Sequence, residues 1–202
     1  MNPNREYRTM QMRILQPEEA QSEPSYMVEG YASTFETYTL FENDGIEYKE
    51  RIEPTAFDNA DLSDVVFRVD HEGRVYARTS AGTVQVWTDE HGLAQRTDLS
   101  KTQAARELFA DIAAGNYPKM SFAFTVAPDG DEYDRATHTR VIKRVAKVFD
   151  VSPVVFPANP TTELSVTTRD YFNGVIEAER TERFEAEERE RKVKLIKLLS
   201  EV

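Results

Sequence analysis

A chain of 202 residues with 25 Lys and Arg against 36 Asp and Glu carries a formal charge of −11 and contains no cysteine. The acidic balance argues against a protein that tracks nucleic-acid phosphates, since that task needs surplus cations to displace counterions. The missing cysteines exclude disulfides, iron–sulfur clusters, thiolate zinc sites and thiol nucleophiles. No run approaches the ~18 consecutive apolar residues of a membrane-spanning helix, and residues 1–15 lack the apolar stretch of a signal peptide. A soluble globular domain with neither nucleic acid nor membrane as partner is expected.

Residues 1–25 read as a leader and first strand: 8–15 partly alternate, then 16–24 form a polar, proline-bounded loop. Residues 26–33 read as a strand in which Gly30 marks a bulge or a close backbone approach. Asn43-Asp44-Gly45 is a turn signal, and the alternation over 46–52 makes it one end of a hairpin. Pro54 sits where a short helix would begin. Four short strands follow at 65–69, 75–79, 84–88 and 93–97, separated by Gly73, Gly82 and Gly92 turns, a spacing that suggests a barrel or sandwich. Ala104, Ala105, Leu108, Phe109, Ile112 and Ala113 fall on helical spacing, with Ser100 as N-cap and Gly115 as C-cap. Strand character returns over 120–126 and 141–151 around a polar loop at 128–137, and the prolines of 153–160 close the domain. From Ile176 onward Glu and Arg dominate, followed by Val193, Leu195, Ile196, Leu198 and Leu199 among lysines: a charged helix with an apolar stripe only at its end. The expected organisation is a leader and strand (1–25), a main domain (26–170) and a helical tail (171–202).

Without thiols, hydrolytic chemistry must come from Ser, Thr, Lys, His or carboxylates. His71 stands where a strand meets a turn, a rigid position from which a base can face a cleft, although a surface turn histidine has the same signature. His91 and His138 read as solvated loop residues. Ser121 shares the small-residue face of its strand with Ala123 and Thr125; it is a packing choice or a nucleophile awaiting a base, and no Gly-x-Ser-x-Gly elbow surrounds it. Asp150 ends an apolar strand, where a carboxylate either meets solvent or needs a partner such as a histidine. Asp70, His71 and Glu72 are adjacent and cannot easily converge on one ion, and the nucleotide and metal motifs are missing, so no metal or cofactor is expected.

The order of these residues is more informative than any one of them. Asp70-His71 comes first, then Met120-Ser121-Phe122-Ala123-Phe124, then Val151-Ser152-Pro153-Val154-Val155-Phe156-Pro157-Ala158-Asn159-Pro160. Together with Glu29-Gly30-Tyr31-Ala32, Ile52-Glu53-Pro54-Thr55-Ala56-Phe57 and Gly92-Leu93, this resembles the prohead (capsid maturation) proteases of tailed bacteriophages, related to herpesvirus assemblins. Thr55 stands where the family usually has Gly, and Asp150 where it usually has Glu; the shorter carboxylate puts its reach to His71 in question.

The resemblance implies an α+β, mainly β fold: an assemblin-like, partly closed β-barrel with a few helices and the charged tail. It implies a serine endopeptidase, without cofactor, in which Ser121 attacks, His71 relays the proton and Asp150 orients the imidazole. Backbone N–H groups or an arginine would hold the oxyanion, with Arg140 and Arg144 as candidates. The implied partner is capsid or scaffold protein, cut inside the immature capsid in the host cytoplasm, with the protease cutting itself as well. A homodimer is suggested because assemblins dimerise. The net negative charge agrees with a basic or mixed substrate, and the tail would dock to scaffold or capsid. A non-catalytic assembly protein is the alternative, and it would be favoured if Ser121 and His71 lay far apart.

Overall fold

The structure, a computed structural model, describes residues 5–14, 26–155 and 166–200. It divides into two compact units, 1–164 and 165–202. The first contains β1 (Glu6–Ile14), β2 (Met27–Thr34), β3 (Tyr38–Asn43), β4 (Ile46–Ile52), β5 (Val66–Val69), β6 (Glu72–Arg78), β7 (Val84–Thr88) and β8 (Gly92–Asp98). After these come α1 (Gln103–Ala113), β9 (Lys119–Val126), β10 (Asp131–Asp134), β11 (Thr139–Ile142) and β12 (Val145–Val154). The second unit contains α2 (Val166–Ser200).

The strands form an eight-stranded sheet in the order β6-β5-β12-β9-β1-β2-β8-β7 and a four-stranded sheet in the order β10-β11-β4-β3. The large sheet is mainly antiparallel and ends on β6 and β7, so no closed barrel is seen among the described residues. Edge β6 shows why: its pairing to β5 is broken by two register shifts, and most of its residues face solvent, features that terminate a ladder. β1 belongs to the centre of this sheet, between β9 and β2.

Period-two alternation on the central strands sends Met120, Phe122 and Phe124 of β9 and Val148 of β12 into one core with Val28, Leu93 and Leu99. α1 covers it with Ala105, Leu108 and Ile112, each large aliphatic side chain contributing about 1.5–3 kcal/mol by its burial. The helix starts later than expected because Thr102, in extended conformation, caps it by accepting the Ala105 N–H at 3.1 Å. Pro54 opens successive i→i+3 turns rather than a helix, pinned by buried Ala56 and Phe57. The segment expected as one strand over 141–151 divides where the Lys143 and Arg144 N–H groups both donate to the Gly130 carbonyl. The polar loop before it contains β10, which pairs with β11. The β2–β8 ladder shifts register between Tyr31 and Ser33, just beyond Gly30, and a Cβ at Gly92 would clash with the Ser33 carbonyl oxygen.

A buried ionic cluster links the two sheets. Arg8 of β1 meets Glu6 at 2.8 Å and also bonds Glu50 of β4. Arg140 of β11 grips Glu6 at 2.6 and 2.9 Å and Asp131 of β10 at 2.6 Å. The Tyr38 hydroxyl of β3 donates to Glu50. Burial, then the Glu50 charge, hold that phenol well above the ordinary tyrosine pKa. Charges this deep persist only when each has a partner.

Candidate active site

Four neighbouring strands align in register. Tyr7 of β1 lies opposite Ala123 of β9, which lies opposite Asp150 of β12, which lies opposite Val66 of β5. One step along, Ser121 lies opposite Ser152. Because alternate side chains share a face, Tyr7, Ser121, Asp150 and Ser152 project to one side while Glu6 and Arg8 project to the other.

His71 comes to this face from the turn joining β5 to β6. Asp70 and His71 both adopt left-handed backbone angles, φ +46° and +61°, each costly for a residue with a Cβ. β12 holds the turn in place: the Asp70 N–H donates to the Pro153 carbonyl at 3.1 Å, and the Val155 N–H donates to the Asp70 carboxylate at 3.3 Å. The imidazole is thereby directed back over β12. Its Nδ1 lies 2.6 Å from Asp150 Oδ1 and its Nε2 lies 2.7 Å from Ser121 Oγ. A carboxylate can only accept, so Nδ1 carries the hydrogen and Nε2 is left to accept the Ser121 proton.

Asp150 follows a register shift between Val148 and Asp150 and is buried. Its Oδ1 also accepts the Ser152 hydroxyl at 2.8 Å, while its buried Oδ2 has no hydrogen-bond partner among the described residues. The Tyr7 ring packs edgewise on the imidazole, 4.5 Å between centroids. Burial, followed by the Asp150 charge, raises the Tyr7 phenol above its ordinary pKa. Ser121 is 1% exposed and the His71 side chain 13%, so the accessible side of the group is the imidazole.

A Ser–His–Asp chain, here drawn from β9, the β5–β6 turn and the middle of β12, is a hydrolase arrangement, and its residues fall inside the segment that the model of the caudovirus prohead serine proteases matches, 12–175. The chain belongs to that family. It is a protease of the capsid-maturation type. No curated protein and no solved structure matches it.

Arg140 and Arg144 are not brought to Ser121. Arg140 is committed to Glu6, Glu50 and Asp131 on the opposite side of β1, and Arg144 donates to the Pro128 and Asp129 carbonyls at 2.6 and 2.8 Å. His91 sits at the β7–β8 turn near Tyr31, and His138 lies 3.0 Å from the Tyr133 hydroxyl. Among the described residues no cluster of three His, Asp or Glu side chains could hold a metal ion. Sequence reasoning named the His71, Ser121 and Asp150 positions but overlooked Tyr7 and Ser152. Ser152 was legible, being two residues beyond Asp150 on a strand. Tyr7 was not, because only strand pairing brings β1 beside β9.

Proposed function

We propose that this protease is a serine endopeptidase that cleaves capsid scaffold segments, and itself, during prohead maturation. The observation that carries the reading is the His71 imidazole bridging Ser121 Oγ at 2.7 Å and Asp150 at 2.6 Å. Ser121 Oγ attacks the scissile carbonyl carbon as its proton passes to His71 Nε2. The imidazolium, stabilised by Asp150, then protonates the leaving amine, and an acyl–Ser121 ester remains. Water, deprotonated by the same nitrogen, hydrolyses the ester and regenerates Ser121. Proton relay of this kind contributes roughly 10²–10⁴ in rate. With Arg140 and Arg144 engaged elsewhere, backbone N–H groups are the oxyanion donors we favour, each worth about 3–4 kcal/mol in the transition state.

The biological setting forms part of the proposal. The enzyme acts inside the immature capsid on capsid or scaffold protein, shares descent with the assemblins, assembles as a homodimer and docks through α2. The assembly-only alternative needed Ser121 and His71 to lie apart, and their contact favours the enzyme reading over it. The test is incubation of purified full-length chain, alone and with scaffold protein, followed by intact-mass analysis. Ser121→Ala and His71→Ala should each abolish the fragments made by the wild type while leaving the circular-dichroism spectrum unchanged. Undiminished cleavage by folded Ser121→Ala would sink the assignment.

A further inference from the structure

On the sheet face that carries Tyr7 and Asp150, three donor groups have no acceptor among the described residues. Arg5 precedes Tyr7 by two residues and lies over the Phe149 ring at 3.8 Å, with its Nε buried and unpartnered among the described residues. Arg68 follows Val66 by two residues, so it shares the face of Asp150 and continues the row of Ser121 and Ser152. Its one hydrogen bond is a long one, 3.3 Å to the Gly73 carbonyl, and its Nε is likewise buried without a partner. The Tyr7 hydroxyl makes no hydrogen bond among the described residues, although its ring touches the imidazole. Arg5 and Arg68 both lower the Tyr7 pKa against the larger effects of burial and Asp150, so both charges are felt at that phenol.

Other arginines are engaged, Arg106 with the Ser100 carbonyl and Arg144 with the Pro128 and Asp129 carbonyls. Arg8 and Arg140, the most deeply buried cations, each hold carboxylates, and Arg78 and Arg96 on the surface are paired with Asp64 and Glu29. In a chain of net charge −11 acidic partners are plentiful, yet neither Arg5 nor Arg68 has one among the described residues. Asp150 is occupied by His71 and Ser152, and the exposed Glu72 forms no ion pair with either guanidinium among the described residues. Guanidinium and phenol donors left with free valences match one ligand chemistry, a carboxylate taken in a forked or shared hydrogen bond.

We propose that Arg5, Arg68 and the Tyr7 hydroxyl form a subsite beside His71 that selects substrates carrying an acidic side chain next to the scissile bond. The inference rests on the peptidase reading and deepens it to specificity. Arg5 and Tyr7 precede residue 12, where the family match begins, whereas Arg68 lies within the matched segment.

The experiment uses internally quenched peptides with blocked ends, in which one Glu, Gln, Lys or Leu is moved through the positions flanking the central bond. Blocked ends leave the side chain as the only carboxylate, which distinguishes it from a free C-terminus. The full-length wild type should cleave the best Glu peptide roughly tenfold or more faster, in kcat/KM, than its Gln isostere. Arg68→Gln and Arg5→Gln should each reduce that Glu/Gln ratio, Arg68→Lys should retain part of it, and Arg68→Glu should turn the preference toward Lys. Peptide affinity is measured in parallel by fluorescence anisotropy with the Ser121→Ala variant, which needs no turnover. Equal cleavage and equal or absent binding of Glu and Gln peptides would overturn the subsite. Glu-selective binding that Arg68→Gln removes, without any cleavage by the wild type, would uphold the subsite and overturn the peptidase reading.

Discussion

At the scale of single residues, the site depends on how the Asp150 carboxylate is oriented. Oδ1 receives both the His71 Nδ1–H and the Ser152 hydroxyl, at 2.6 and 2.8 Å, from opposite partners. Asp150→Asn offers an amide in place of a carboxylate, removes the charge that stabilises the imidazolium and admits the wrong tautomer; kcat should fall about 10²–10⁴-fold with the fold intact. Ser152→Ala removes one neutral donor from the same oxygen, a loss of about 0.5–1.5 kcal/mol, so kcat should drop roughly 3–10-fold with KM unchanged. Steady-state kinetics on a single peptide substrate measures both. An unchanged kcat in Asp150→Asn would remove the carboxylate from the proposed triad. The Asp150 side chain reaches His71 at 2.6 Å, just after β12 shifts register between Val148 and Asp150.

Among the secondary-structure elements, β1 has the most dependent neighbours. Tyr7 packs on His71 from one face while Glu6 and Arg8 enter the buried cluster from the other. Arg8→Met would leave Glu50 and Glu6 with Arg140 as their remaining shared cation, and stranding a buried charge costs about 3–5 kcal/mol. Urea unfolding should show a midpoint lowered accordingly, and the Arg8→Met/Glu50→Gln double variant should recover part of the loss because the two sites are coupled. A double variant whose loss equals the sum of the single losses would show that the contact carries no coupling energy. The turn carrying His71 shows the same dependence in its backbone, since Asp70 and His71 keep positive φ angles against anchors provided by β12.

Across the whole molecule, charge is unevenly deployed. Residues 181–197 of α2 are exposed throughout, and two ion pairs on them, Glu185–Arg189 and Glu188–Lys192, are each 3.2 Å surface contacts at i,i+4. Such pairs contribute about 0.3–0.5 kcal/mol each to the helix. Deleting 181–202 should therefore remove helical circular dichroism while leaving the urea midpoint of the β-rich unit within error; a clear fall in that midpoint would mean that this stretch contributes to the unit's stability. The overall −11 on its own suggests a basic or mixed substrate, whereas the proposed Arg5–Arg68 subsite would select an acidic one.

Local pattern was enough for much of the organisation. Alternation over 120–126, the Asn43-Asp44-Gly45 turn and the helical spacing from Ala104 to Ala113 announce β9, the β3–β4 hairpin and α1, because each signal lies within one element. The missing thiols and the order of the His71, Ser121 and Asp150 segments likewise pointed to serine chemistry, and the family match agrees with that class. Tertiary structure decided what depends on pairing between distant strands. It placed β1 between β9 and β2, ended the large sheet on β6 and β7, and divided the 141–151 run between two sheets. It also set Tyr7 against His71, gave Arg140 to a carboxylate cluster, and left the Nε of Arg5 and of Arg68 without a partner among the described residues. The physical reason is that a strand's period says which side chains share a face, whereas register with its neighbours says which of them meet.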